Sequence, residues 1–118
     1  MNTPSEKGSF FSPAEFDALR EKTLRQIEKD FHLQGIEITL PDKNQTYPEL
    51  VSLLSDTLAD LSLLGSGKLQ GLLYQLDISE QFVREEILAK AEHSHSALLA
   101  DAIVKRCFAK VVYRKKYS

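Results

Sequence analysis

The chain has 118 residues, 42% hydrophobic and 27% charged, with a formal net charge of −2. That length suits one domain with a core of its own, and the near-neutral charge excludes a global field that gathers polyanions or polycations. The charge is nonetheless split: residues 1–60 carry 11 acidic and 6 basic side chains, a net of −5, and residues 61–118 carry 6 and 9, a net of +3.

The lone cysteine, Cys107, has no partner for an internal disulfide, which fits a reducing compartment. The polar start, MNTPSEKGS, lacks the apolar stretch of a secretory signal, and no apolar run approaches the ~18 residues of a membrane span. The expectation is a cytoplasmic protein with no membrane partner.

Residues 1–9 offer little to bury and are expected to form a disordered tail, with 10–118 as a single helical domain. Ser12, Pro13 and Glu15 give the N-cap, N1 and N3 of a first helix, and Phe11 and Phe16 give its hydrophobic staple. Phe16, Leu19, Thr23, Ile27 and Phe31 recur at helical spacing, and Gly35 is the expected stop. Ile36-Glu-Ile-Thr-Leu40 alternates like a strand. One such segment cannot make a sheet within a monomer, so it is read as an extended connector whose apolar side chains cap the core. Pairing with a second chain is its functional alternative.

Thr46-Tyr-Pro-Glu49 is a capping box that opens the leucine-rich stretch 50–78, which holds 11 of the 18 leucines. Leu50, Leu53, Leu54, Thr57, Leu58, Leu61 and Leu64 fall in one arc, while Leu63 points away from it. Gly65-Ser66-Gly67 permits a tight reversal, and Leu69, Leu72, Leu73 and Leu76 form the apolar edge of the next helix. Together these predict an αα-hairpin. Asp77 or Ser79 is expected to cap a shorter helix with Val83, Ile87, Leu88 and Ala91 inward, followed by a turn at Glu92-His-Ser-His-Ser96. Ser94 or Ser96 then caps a last helix with two apolar stripes. One holds Ala100, Ile103, Val104, Cys107, Phe108 and Val111, and the other Leu98, Ala102, Ala109 and Tyr113. A helix apolar on two sides is buried on two sides, centrally in its bundle or against a partner chain.

Candidate chemistry is thin. Gly65-Ser-Gly-Lys68 lacks the first glycine and the magnesium-binding hydroxyl of a phosphate-binding loop and follows a helix, so it reads as a turn. Glu92-x-x-His95 is half of a di-iron carboxylate motif without its second half. Cys107 lies on an apolar stripe, which favours a small buried hydrophobe over a nucleophile. No catalytic residue, metal ligand or cofactor is assigned. From Ala102 onward there are six basic residues and no acid: Lys105, Arg106, Lys110, Arg114, Lys115 and Lys116. Cations at a helix C-terminus stabilise it. The functional reading is a phosphate-contacting patch for nucleic acid or a membrane surface, but these side chains fan out around the helix, and no Asn or Gln follows Gln81 to read bases.

At LLYQLDISE (72–80) and LADAIVKRCFAKVVYRKKY (99–117) the chain resembles a group of small uncharacterised bacterial all-helical proteins. The resemblance runs from about Phe16 to Tyr117 and implies an all-helical fold, but it brings no activity and no site residue. The expected fold is all-α: a single-domain bundle of about five helices around a leucine-rich αα-hairpin, with one extended connector at 36–40. The expected function is a non-enzymatic helical protein–protein interaction module, as a homodimer or with another protein. Its interface is expected at Leu63, Leu98, Ala102, Ala109 and Tyr113. The alternative is a nucleic-acid-associated protein using the basic C-terminal helix.

Overall fold

The computed structural model describes residues 13–41, 45–64, 67–89 and 95–117, and the described chain is all-helical, with no strand among those residues. The helices are α1 (Pro13–Leu33), α2 (Tyr47–Leu64), α3 (Lys68–Gln75), α4 (Glu80–Ala89) and α5 (His95–Tyr117). None of them is long and apolar enough to cross a membrane. The expected tail, the Phe11 staple, the Ser12 cap, the Gly65-Ser66 reversal and residues 92–94 of the expected turn lie outside the described residues, whereas His95 and Ser96 of that turn are helical. So do the side chains of Leu61, Leu63, Leu64, Val83 and Ile87.

Local signals in the chain account for the helix ends. At the start of α2 the capping box closes in both directions: Glu49 N–H donates to Thr46 Oγ1 at 3.3 Å, and Thr46 N–H donates to Glu49 Oε1 at 2.8 Å. Ser79 is the N-cap of α4, its hydroxyl accepting from Phe82 N–H at 3.2 Å. Both α1 and α3 end in Schellman motifs. In the first, Gly35 takes φ +75, Gly35 N–H bonds the His32 carbonyl and Ile36 N–H bonds the Phe31 carbonyl. In the second, Asp77 takes φ 60, Asp77 N–H bonds the Tyr74 carbonyl and Ile78 N–H bonds the Leu73 carbonyl. Asp is among the few residues with a side chain that tolerate this left-handed conformation.

The connector 36–40 has no regular secondary structure and buries Ile36 and Leu40. Leu40 N–H donates to Glu28 Oε2 at 2.7 Å, so a side chain of α1 replaces the strand partner this amide would otherwise need.

Phe16, Leu24, Ile27 and Phe31 of α1, Leu50, Leu54 and Leu58 of α2, Leu72 and Leu76 of α3, and Ile103, Val104 and Cys107 of α5 are all almost fully buried in one core. The element shared by most of the bundle is α5, which packs against α1, α2 and α4. At one end Phe16 meets Tyr47 edge-to-face at 5.7 Å and Phe108 at 6.0 Å, joining α1, α2 and α5 through three rings. Two local expectations are corrected. Leu88 is 81% exposed, because on the helical wheel it lies well away from Val83. Ser96 does not cap α5: it lies inside the helix, and its Oγ is 3.0 Å from Ser55 Oγ on α2.

Candidate functional site

The most unusual chemistry in the core surrounds Asp30 on α1, which is 2% exposed. An isolated carboxylate is very costly to bury, so its partners matter. Gln26 Nε2, one turn earlier on α1, donates to Oδ2 at 3.0 Å. Gln75 Nε2 on α3 donates to Oδ1 at 3.0 Å and to the Asp30 carbonyl at 3.2 Å. From α5, Lys110 Nζ donates to both carboxylate oxygens, at 3.0 and 3.2 Å, and the Cys107 thiol donates to Oδ2 at 3.5 Å. Burial pushes the Asp30 pKa up, but the hydrogen bonds from Gln26 and Lys110, the Lys110 charge and the Cys107 thiol outweigh it and hold the carboxyl below its ordinary value.

The network continues outward. Gln34 Nε2 donates to Gln75 Oε1 at 2.6 Å. Gly71, one turn before Gln75, leaves room for the Gln34 amide, which a methyl group at that position would displace. Arg114 Nη2 donates to Gln26 Oε1. Arg106 Nε donates to the Leu76 carbonyl at 2.9 Å and so satisfies an acceptor at the end of α3. α1, α3 and α5 are therefore tied together by one polar cluster.

Chemically the cluster is quiet. Cys107 is fully buried, and burial together with the Asp30 charge and hydrogen bond pushes its thiol pKa up. A buried neutral thiol is a poor nucleophile. Tyr47 on α2 donates its hydroxyl to Asp101 Oδ1, and burial together with the Asp101 carboxylate pushes the phenol pKa up. Among the described residues, no group of three or more His, Cys, Asp or Glu side chains is arranged to hold a metal ion.

The structure separates the basic residues expected as a patch. Lys105 faces away from the cluster and pairs with Asp101 at 3.2 Å. Arg106, Lys110 and Arg114 line one open groove of about 270 Å³ with Ala109 and Tyr113. Lys115 and Lys116 are exposed beyond it. Of the residues expected at an interface, Leu98 and Ala102 are half-buried, Ala109 is exposed and Tyr113 is 58% exposed. The second stripe of α5 is thus not covered along its length by the described chain, and α5 is not buried on two sides there.

No family model, curated protein or solved structure matches the chain. The residues of the site therefore carry the functional argument alone.

Sequence reasoning missed Asp30, Gln26 and Gln75. The signal was present: on the wheel of α1, Asp30 falls between Leu19 and Thr23, inside the apolar arc. An acid placed there needs a buried partner, and Lys110 falls beside Ile103 and Cys107 on α5.

Proposed function

We propose that the chain is a non-enzymatic helical interaction module that acts through the outer face of α5, with a second copy or another protein as its partner. The observation that carries this reading is the exposed half of that face, where Tyr113 is 58% exposed beside the exposed Ala109, continuing the half-buried Leu98 and Ala102. Phe82 and Leu88 on α4, the helix that packs on α5, are exposed as well, at 46% and 81%. Aromatic side chains are enriched at the centres of interaction surfaces relative to the rest of a protein surface. Leu63 remains a proposed member of the interface.

The nucleic-acid reading ranks below it. Lys105 and Lys110 are each paired with a carboxylate, and Arg106 and Arg114 are each hydrogen-bonded inside the bundle. The two lysine pairings offset charge on the basic helix and the two inner hydrogen bonds shorten the arginines' reach, whereas polyanion binding depends on counterion release by cations unpaired along the whole contact.

Mass measurement in solution at low and high salt tests the proposal. Salt-resistant self-association, or salt-resistant capture of a protein partner lost on Tyr113→Ser, is the expected result. A monomer that captures no protein but is retained on a polyanion at about 150 mM salt overturns it in favour of nucleic acid.

A further inference from the structure

The groove beside Tyr113 carries more charge than the core beneath it neutralises. Its lining contains three cations, Arg106, Lys110 and Arg114, and no carboxylate. Only Lys110 is paired with an acid, Asp30. The two arginines are held from beneath by neutral acceptors, the Leu76 carbonyl and the Gln26 amide oxygen. Among the described residues neither guanidinium meets a carboxylate. Each arginine is thus fixed in place while keeping its full charge and the N–H donors that its inner hydrogen bond does not use.

Like charges four residues apart on a helix repel one another. Here three cations stand in one row at positions 106, 110 and 114, spanning roughly 12 Å of helix axis. The row lies beside the apolar contact surface of Ala109 and the Tyr113 ring. Planar guanidinium forks suit carboxylates in two-pronged geometry, and holding them rigid lowers the entropic cost of binding.

We infer that this groove docks an acidic segment of a partner protein, whose carboxylates meet Arg106 and Arg114 while its backbone or an apolar side chain lies on Ala109 and Tyr113. The inference rests on the reading of the chain as an interaction module and specifies the partner's chemistry. Charge complementarity selects this occupant: the groove presents three cations to one buried carboxylate, and an acidic segment supplies the opposite sign.

The test uses the full chain and a fluorescent deca-glutamate peptide, followed by anisotropy at low salt. Binding is expected, weakened roughly tenfold or more by the double variant Arg106→Gln/Arg114→Gln and by raised salt. The control Lys115→Gln/Lys116→Gln, outside the groove, should bind as the parent does. Helical circular dichroism confirms that each variant is folded. Should Arg106→Gln/Arg114→Gln unfold, Tyr113→Glu, which places a like charge in the groove, substitutes for it and should also weaken binding. Absence of deca-glutamate binding, or binding equal in the parent and the groove variants, overturns the inference. So does tighter binding of a single-stranded DNA of equal charge. Self-association of the same samples is read by sedimentation. A salt-resistant dimer that ignores the peptide defeats this inference and leaves the interaction module standing, whereas a monomer without any protein partner defeats the module itself.

Discussion

Two seams hold α5 in place, and they differ in kind. Against α2 the buried centre of the seam is apolar: Leu50, Leu54 and Leu58 are fully buried in the same core as Ile103 and Val104, and the polar contacts Tyr47–Asp101 and Ser55–Ser96 are only part-buried. Against α1 the seam is split by a buried carboxylate, with Gln26, Gln75, Cys107 and Lys110 all turned toward Asp30. Burying a leucine contributes ~1.5–3 kcal/mol, and neighbouring leucines are nearly interchangeable in that respect. A buried ion pair adds little net stability because desolvation offsets the attraction. It does discriminate between arrangements. Sliding α1 by one turn along α5 keeps apolar atoms against apolar atoms but strips Asp30 of Lys110 and Cys107 together. The apolar seam supplies most of the buried area, and the polar seam penalises a slid arrangement of α1 on α5, because Asp30 would then be buried without Lys110 and Cys107.

The contrast is broken most severely by emptying the apolar seam. Leu58→Ala should lower unfolding stability by ~2–5 kcal/mol, because the cavity forms where the side chain is fully buried. Chemical denaturation at pH 7 and again near pH 4 should give the same loss, since no titrating group is involved. A loss under about half a kcal/mol would show that α2 is not anchored there.

Asp30→Asn tests the polar seam and should have a smaller effect, ~1–3 kcal/mol at neutral pH, because Lys110 loses its charged partner while the side chain keeps its shape. Its signature is pH dependence. The folded-state pKa of Asp30 lies below its ordinary value of 3.8. The stabilisation is therefore complete above that ordinary value and is lost as the pH falls through the lower folded value. Parent and variant denaturation midpoints should differ at pH 7 and converge as acidification protonates Asp30. A difference that persists undiminished at the lowest workable pH would remove the charge from the account.

The two seams were also unequally legible in the sequence. The apolar one follows from periodicity: the 3.6-residue repeat places Leu50, Leu54 and Leu58 together, and local chemistry at Thr46, Glu49 and Gly35 sets helix boundaries. The polar seam requires knowing which helices meet. Asp30 and Lys110 are 80 residues apart, and nothing local joins them. The basic tail was legible as charge but not as partnership, since Arg106, Lys110 and Arg114 turn inward toward acceptors on other helices. Leu88 shows the opposite limit: an apolar residue in an amphipathic helix reads as core from its type, and its angular position puts it in water.

A third perturbation lies on the α2 side but is polar, and it sharpens the division. Tyr47→Phe removes the hydroxyl that Asp101 accepts while keeping the ring against Phe16. The expected loss is ~0.5–1.5 kcal/mol, the usual net worth of one hydrogen bond. If urea titration shows a loss as large as that of Leu58→Ala, the α2 seam is not governed by apolar burial.

The smallest effect on stability is expected where the consequence for function is greatest. Tyr113 lies on the outer side of α5, at the rim of the groove that Lys110 and Arg114 also line, and is 58% exposed. Tyr113→Ser removes little buried area within the chain, so its unfolding free energy should stay within about half a kcal/mol of the parent. Aromatic side chains dominate interface energetics, and truncating one at the centre of a contact costs ~2 kcal/mol or more of binding. The same substitution should therefore weaken association by roughly 30-fold, since each 1.4 kcal/mol is tenfold. Sedimentation of parent and variant at micromolar concentration, with thermal unfolding alongside, reads both quantities on one pair of samples. A loss of association at constant stability places the contact on the outer face of α5. Association that survives Tyr113→Ser moves it elsewhere, and the exposed Phe82 and Leu88 of α4 are then the surface to vary next.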